Sequence, residues 1–336
     1  MPQTAKLKYP SCFPANASES TKQVAAELAE YLHRISGAAF EIKTGDGSSG
    51  IVLGTIEEFP NPALTEALAI RDTYDGREAY AIRTEPGRVL LIGATELGAS
   101  HAAFRFLEKL GCRWFFPAKE WEVVPEKRTL TASVDEASRP ALLARRIWYA
   151  WGFFDRTEGR ARSDYNSWSR RNRMAASFTV RVNHAWTHIS RDQVFVENPE
   201  YLALVNGERQ RPQLCVSNPE VQKILVQYAL DYFAKNPESD MVSAGPGDGG
   251  GFCECESCAR LGNVSDQVFF LVNHVAKAVA EKYPGKMVGV YAYHKYSDPP
   301  SFKLEPNVYV QLTTGFLYGK HSFDELLELW PKACPN

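Results

Sequence analysis

The chain has 336 residues, is 12% aromatic, and carries a net charge of -2 from 38 basic and 40 acidic side chains. That length allows a large buried core and two domains. The near-neutral balance leaves no electrostatic footprint for nucleic acid, and no stretch approaches the roughly 20 apolar residues of a membrane span. The start, MPQTAKLKYPSCF, lacks the apolar segment of a signal peptide. The chain is therefore read either as cytoplasmic or as one whose leader was removed or was never part of it, with periplasmic or extracellular placement in the second case. Seven cysteines are an odd number and cannot all pair with one another.

Residues Ser18 to Ser36 place Val24, Leu28, Tyr31, Leu32 and Ile35 at helical spacing, with capping residues before them and Gly37 after. Phe40–Lys43 and Ile51–Gly54 are expected strands around a Gly/Ser turn. Ala79–Thr84 and Arg88–Ile92 flank Pro86-Gly87 as a hairpin. Thr95 to Leu110 is a second amphipathic helix, closed by Gly111, and short strands follow at Arg113–Phe116 and Trp121–Val124. His33 and His101 fall on these helices, where packing or surface placement is the expected role. Together these elements predict a small α+β domain over residues 1–130, with a polar boundary near Thr129 to Pro140.

From residue 140 to 336 the pattern alternates. Expected strands are Leu142–Trp151, Phe178–Val182, Gln213–Val216, Met241–Ala244, Met287–Tyr293 and Val308–Leu312. Helices are expected at Tyr165–Met174, from Asn218 to Ala234, at Asp266–Tyr283 and at Phe323–Trp330. About six such strand–helix units predict an α/β fold with a parallel sheet, read as a (β/α)8-type barrel truncated after about six strands. An open doubly wound sheet is the alternative.

Parallel barrels carry their chemistry at the C-terminal ends of the strands. Those ends hold Trp148, Tyr149 and Trp151, then Asn183, His184 and Trp186, then Cys215 and Asn218. Asp248, Tyr291, Tyr293, His294, Thr313 and Thr314 follow. Aromatic platforms beside amide, imidazole and carboxylate groups suit sugar rings, so Trp148, His184, Trp186, Tyr293 and His294 are the substrate-binding candidates. Asp248 sits in GPGDGGG. It is read as a general acid kept protonated by partial burial, or as an Asx-turn residue that shapes a glycine loop. Glu254 and Glu256 are alternative acids on the same loop. Arg145 or Arg146 is a candidate partner for a uronic acid carboxylate. The loop lacks the G-K-[ST] ending of a phosphate loop, and NHAWTH is not the helix of a zinc protease.

Cys253, Cys255 and Cys258 form C-x-C-x-x-C, and Cys215 could supply a fourth thiolate to a structural zinc. A disulfide between Cys215 and one of the three, or free buried thiols, are the other readings.

The stretch GATELGASHAAFRFLEKLGCRWFFP (93–117), with EVVP at 122–125, resembles the N-terminal domain of family 67 α-glucuronidases and of family 20 β-hexosaminidases. QLCVSNPEV (213–221) and GPGDGGGFCECESC (245–258) resemble the bacterial family called domain of unknown function 4838, similar in architecture to those glycosidases. The resemblance implies a small α+β domain, a (β/α)8 barrel, no organic cofactor, and a carbohydrate-active hydrolase with its acid at Asp248. Family 20 enzymes carry consecutive Asp-Glu at that strand end, whereas here Gly249 follows Asp248. No second carboxylate follows the sixth strand, where Thr313, Thr314 and Gly315 stand. The reading is a glycoside hydrolase acting on O-glycosyl bonds of uronic-acid or amino-sugar glycans. Its alternatives are a non-catalytic carbohydrate-binding protein on a degenerate barrel and a zinc-pinned interaction domain.

Overall fold

The structure is a computed structural model that describes residues 5–6, 11–71, 74, 76–145, 147 and 160–334. The chain divides into two compact units, Met1–Phe178 and Thr179–Asn336.

In the first unit the elements run β1 (Ala5–Lys6), β2 (Ser11–Phe13), α1 (Glu19–Ser36), β3 (Ile42–Thr44), β4 (Gly50–Thr55), β5 (Tyr80–Glu85), β6 (Arg88–Gly93), α2 (Glu96–Leu110), β7 (Arg113–Trp114), β8 (Glu122–Val123), β9 (Thr131–Ala132), β10 (Asp135–Ser138) and α3 (Arg160–Arg171). The main sheet has the order β10-β5-β6-β4-β2-β3. The period-2 alternation of its strands divides the apolar residues between two faces. Ile51, Leu53, Ile82 and Leu91 pack on Leu28, Leu32, Phe104 and Leu107 of the two helices. Val52, Ala81, Leu90 and Ile92 face the other way, onto Phe59, Leu64 and Leu68. Burying each large apolar side chain contributes about 1.5–3 kcal/mol.

Both helices begin and end where their caps require. Ser18 Oγ accepts from Thr21 N at 3.2 Å, and Gly37 takes the left-handed conformation after α1 (φ 73°). The polar stretch near 129–140 supplies β9 and β10, and β10 extends the main sheet beside β5. His101 is buried on α2, as its helical face implies.

In the second unit the order is α4 (Ala185–Ile189), α5 (Gln193–Glu197), β11 (Leu202–Val205), β12 (Glu208–Leu214), α6 (Pro219–Lys235), β13 (Met241–Ser243), α7 (Glu256–Ala259), α8 (Val264–Lys282), β14 (Met287–His294), β15 (Val308–Leu317) and α9 (Phe323–Ala333). β13, β14 and β15 form a parallel sheet in that order. Apolar stripes on α6 (Val221, Leu225, Phe233) and α8 (Val268, Leu271, Val272, Val275, Val279) are buried. An Asn263–Asp266 capping box opens α8.

The barrel expectation is met only in part: the fold is mixed α/β, and among the described residues no closed barrel forms. Three of the six expected strands are parallel neighbours. Residues 142–145 and 147 are not strand. The rest of that expected strand, with Trp148, Tyr149, Trp151 and Arg146, lies outside the described residues. Residues 179–183 run beside β13 but are tied to it through side chains rather than a backbone ladder. Asn183 N donates to Ser243 Oγ at 3.0 Å, and Ser243 Oγ donates back to Asn183 O at 2.8 Å. The Gln213–Val216 expectation is corrected too. Gln213 and Leu214 end β12, the second strand of an antiparallel hairpin with β11. Its turn is Asn206-Gly207, both at positive φ (51° and 85°). This is the turn chemistry that matches the twist of paired strands.

Candidate functional site

Parallel pairing of β13 with β14, and of β14 with β15, sends the loops after all three strands to the same edge of the sheet. The loop leaving β13 is GPGDGGG. Its glycines are required by space and by backbone. A Cβ on Gly247 would lie 2.5 Å from Pro212 Cβ. Gly249, next to Asp248, sits at φ 90°.

Gln213, which is 1% exposed, organises this loop from β12. Its Nε2 donates to Gly247 O at 2.8 Å and to Gly249 O and Gly250 O at 3.3 Å. Its Oε1 accepts from Gly247 N at 3.1 Å. A buried amide that uses both ends on backbone groups fixes the loop against β12. In the sequence Gln213 stands only as the start of an expected strand. A lone amide beside Leu214, Cys215 and Val216 was the signal available.

Asp248 leaves this loop with its carboxylate 68% exposed, so the burial expected around it is absent. Tyr293 Oη, from the end of β14, donates to Asp248 Oδ1 at 3.0 Å. His184 Nε2 stands 3.7 Å from the same oxygen. The His184 ring is oriented by Nδ1, 3.0 Å from Pro246 O. A neutral imidazole therefore carries its proton on Nδ1 and turns the Nε2 lone pair to Asp248. Burial, followed by the hydrogen bond to Asp248, pushes the Tyr293 phenol above its usual range, which keeps it a donor.

His294 adjoins them, 6.0 Å ring to ring from Tyr293. Burial and then the Lys295 charge hold its pKa below the usual histidine value, and Asp248 partly opposes them. Its Nδ1 has no hydrogen-bond partner among the described residues. His294 (φ 53°) and Phe316 (φ 57°) both occupy the left-handed region at the ends of neighbouring strands. Such strain collects at functional sites. Phe316 and Tyr318 are exposed at 66% and 57%, flanking Tyr293 and His294 at 6.0 and 4.9 Å. Neither residue stands out in the sequence, where the last strand is expected to end at Leu312, whereas β15 continues to Leu317.

Several candidates lie elsewhere. Trp186 is 0% exposed and donates from Nε1 to Ala244 O at 2.9 Å, so it anchors the end of β13 instead of facing a ligand. Arg145 is engaged by the Glu78 carboxylate and by the carbonyls of Arg173, Leu142 and Ala175. A uronic acid carboxylate is thus not its partner here. Asn218 caps α6, and Glu254 accepts from Asn206 N at 2.8 Å in a loop-building role. Glu256 pairs with Arg260 at the surface. Among the described residues, the polar partners of Asp248 are Tyr293 and His184, with no second carboxylate.

The four cysteines do converge. The sulfurs of Cys215, Cys253, Cys255 and Cys258 all lie within 4.8 Å of one another. Cys215 Sγ is 3.7 Å from Cys255 Sγ and 3.9 Å from Cys258 Sγ, so no disulfide joins them. Hydrogen bonds from Cys253 and Cys258 hold the Cys215 thiol far below its usual range. This donor set could hold a structural metal such as zinc.

The mixed α/β fold, with polar and aromatic groups at the C-terminal edge of its parallel sheet, resembles that of glycoside hydrolases of families GH20 and GH115. The relatives of solved structure include the Flavobacterium johnsoniae chitobiase (TM-score 0.55, 12% identity, 99% of this chain and 56% of that one). A family GH115 4-O-methyl-α-glucuronidase with specificity for decorated arabinogalactans matches with TM-score 0.52 and 14% identity over 91% of this chain and 45% of that one. The β-N-acetylhexosaminidase of Bacteroides fragilis NCTC 9343 matches with TM-score 0.50 and 12% identity over 99% and 71%. The chain thus spans about half the length of the first two and 71% of the last. No curated protein sequence matches it.

The chain belongs to the family described as a domain of unknown function (DUF4838), whose pattern matches residues 116–326. Among the described residues no helix is long and apolar enough to cross a membrane.

Proposed function

We propose that the protein is a glycoside hydrolase acting on O-glycosyl bonds of uronic-acid or amino-sugar glycans, with Asp248 as its general acid. In this reading residues 1–130 are the small α+β domain. Strands β13 to β15 with their helices belong to a (β/α)8-type barrel that starts near residue 140. The observation that carries the reading is the convergence of Tyr293 and His184 on one oxygen of Asp248, at the edge where parallel α/β enzymes place their chemistry.

The chemistry follows from the groups present. Tyr293 fixes one carboxyl oxygen and leaves the other to approach a glycosidic oxygen. In its acid form Asp248 gives its proton to the leaving oxygen as the glycosidic C–O bond breaks; a water adds to the anomeric carbon, and the proton that water releases restores Asp248, a transfer for which His184 Nε2 is placed. Phe316 and Tyr318 offer faces to the apolar side of a sugar ring.

That the partners of Asp248 among the described residues include no second carboxylate favours one rival: a carbohydrate-binding protein that keeps the aromatic surface and does no hydrolysis. Turnover of aryl N-acetylhexosaminides and aryl glucuronides by the wild type and by Asp248→Asn separates the two. Hydrolysis requires turnover that collapses in the variant, while binding alone predicts sugar affinity without turnover in either.

A further inference from the structure

We infer that Cys215, Cys253, Cys255 and Cys258 form a tetrathiolate zinc site whose function is to lock the Asp248 loop onto the β11–β12 hairpin. A tetrahedral ion with metal–sulfur bonds of about 2.3 Å places its sulfurs about 3.8 Å apart. The observed separations of 3.7 and 3.9 Å from Cys215 match that spacing. They are far from the ~2 Å of a disulfide. Three of the four sulfurs belong to buried residues, and soft thiolates select zinc over magnesium or calcium.

The surroundings are those of bound thiolates. Leu204 N donates to Cys253 Sγ at 3.3 Å, and Cys258 N donates to Cys255 Sγ at 3.5 Å. Ser217 Oγ lies 3.1 Å from Cys258 Sγ. Arg209 places a guanidinium nitrogen 4.0 Å from Cys253 Sγ, which offsets the net negative charge of an ion with four thiolates. Binding is balanced by proton release: the four thiols give up their protons as the four metal–sulfur bonds form.

The site has a mechanical consequence. Cys215 directly follows β12, and the other three ligands follow the glycine loop. Metal binding therefore clamps both ends of a closed circuit. Within that circuit Gln213, two residues before Cys215, grips Gly247, Gly249 and Gly250 around Asp248. Glu254 N also donates to Leu204 O at 2.8 Å across the same junction. With the metal gone, the loop keeps Gln213 but loses the anchor that holds β12 and the cysteine tail together. The metal site itself does not depend on the hydrolase reading.

The test uses the full chain, purified without a metal-binding tag under reducing conditions and reconstituted with zinc chloride. Elemental analysis is expected to give one tightly held zinc per chain, and Cys253→Ser or Cys258→Ser is expected to lose it. Amide exchange over residues 245–252 is expected to accelerate about ten-fold or more when a chelator removes the metal. Gln213→Leu should retain zinc and still show faster exchange in the same residues, which separates the clamp from the grip. A folded wild-type chain that holds no zinc, holds iron instead, or shows a disulfide among these cysteines by mass spectrometry overturns the site. Unchanged exchange on zinc removal overturns its role on the loop. If the Cys→Ser variants do not fold, metal content and chelation of the wild type decide alone.

Discussion

Tyr293 Oη donates to Asp248 Oδ1 at 3.0 Å, joining the end of one parallel strand to the loop that leaves its neighbour. The bond orients an exposed carboxylate that burial does not hold in place. Removing the hydroxyl should therefore cost catalysis more than stability. A hydrogen bond to a charged group is worth about 1.5–3 kcal/mol, which corresponds to roughly ten- to hundred-fold in rate. Tyr293→Phe is expected to lower kcat by that factor with a nearly unchanged melting temperature. Steady-state kinetics beside a thermal melt would show an unchanged kcat if the bond is incidental.

Trp186 is expected to behave in the opposite way. Its indole is fully buried, and its N–H is used by Ala244 O. Trp186→Phe leaves that carbonyl unpaired and opens space in the core, at a cost of about 1–3 kcal/mol. Denaturant unfolding should record the loss, while KM for a sugar substrate stays within about two-fold, since the ring touches no ligand.

His101 gives the first unit a pH-dependent stability. Its ring is almost fully buried, with Nε2 3.2 Å from Ala175 O and Nδ1 3.8 Å from Glu78, beside Arg145 and Arg173. Burial lowers its pKa from 6.5 to about 4, against the opposing pull of Glu78. Between those values the unfolded chain binds a proton that the folded chain does not. Stability therefore falls as pH falls from about 6.5 to 4, by on the order of 3 kcal/mol at full extent. His101→Phe should flatten that part of the profile. A second decline, from about pH 4.5 to about 2, should survive the substitution: over that range the unfolded chain protonates Glu136, whereas in the folded chain partial burial is outweighed by its bonds to Arg105 and Lys109, which hold its pKa at about 2.

The sequence made the helices legible because caps and apolar stripes are local. Ser18 and Gly37, Thr95 and Gly111, and the 3.6-residue spacing between them mark α1 and α2 to within a residue. Strand number was less legible. The stretches 178–182 and 213–216 look like sheet strands, yet side chains tie residues 179–183 to β13 and the second stretch ends a hairpin. The Asn-Gly pair at 206–207 is the local signal of that hairpin. Within the site, the convergence of four cysteines follows from two motifs on adjacent segments. The difference between Trp186, turned into the core, and Phe316 and Tyr318, turned out beside Tyr293, depends on packing that no local pattern records.

The most direct test of the functional account is turnover of aryl N-acetylhexosaminides and aryl glucuronides by the zinc-loaded protein and its Asp248→Asn variant, with circular dichroism confirming that both are folded. The account predicts measurable hydrolysis by the wild type and a fall of about a hundred-fold or more in kcat for the variant. Equal turnover by the two proteins, or none by a folded wild type, would contradict it.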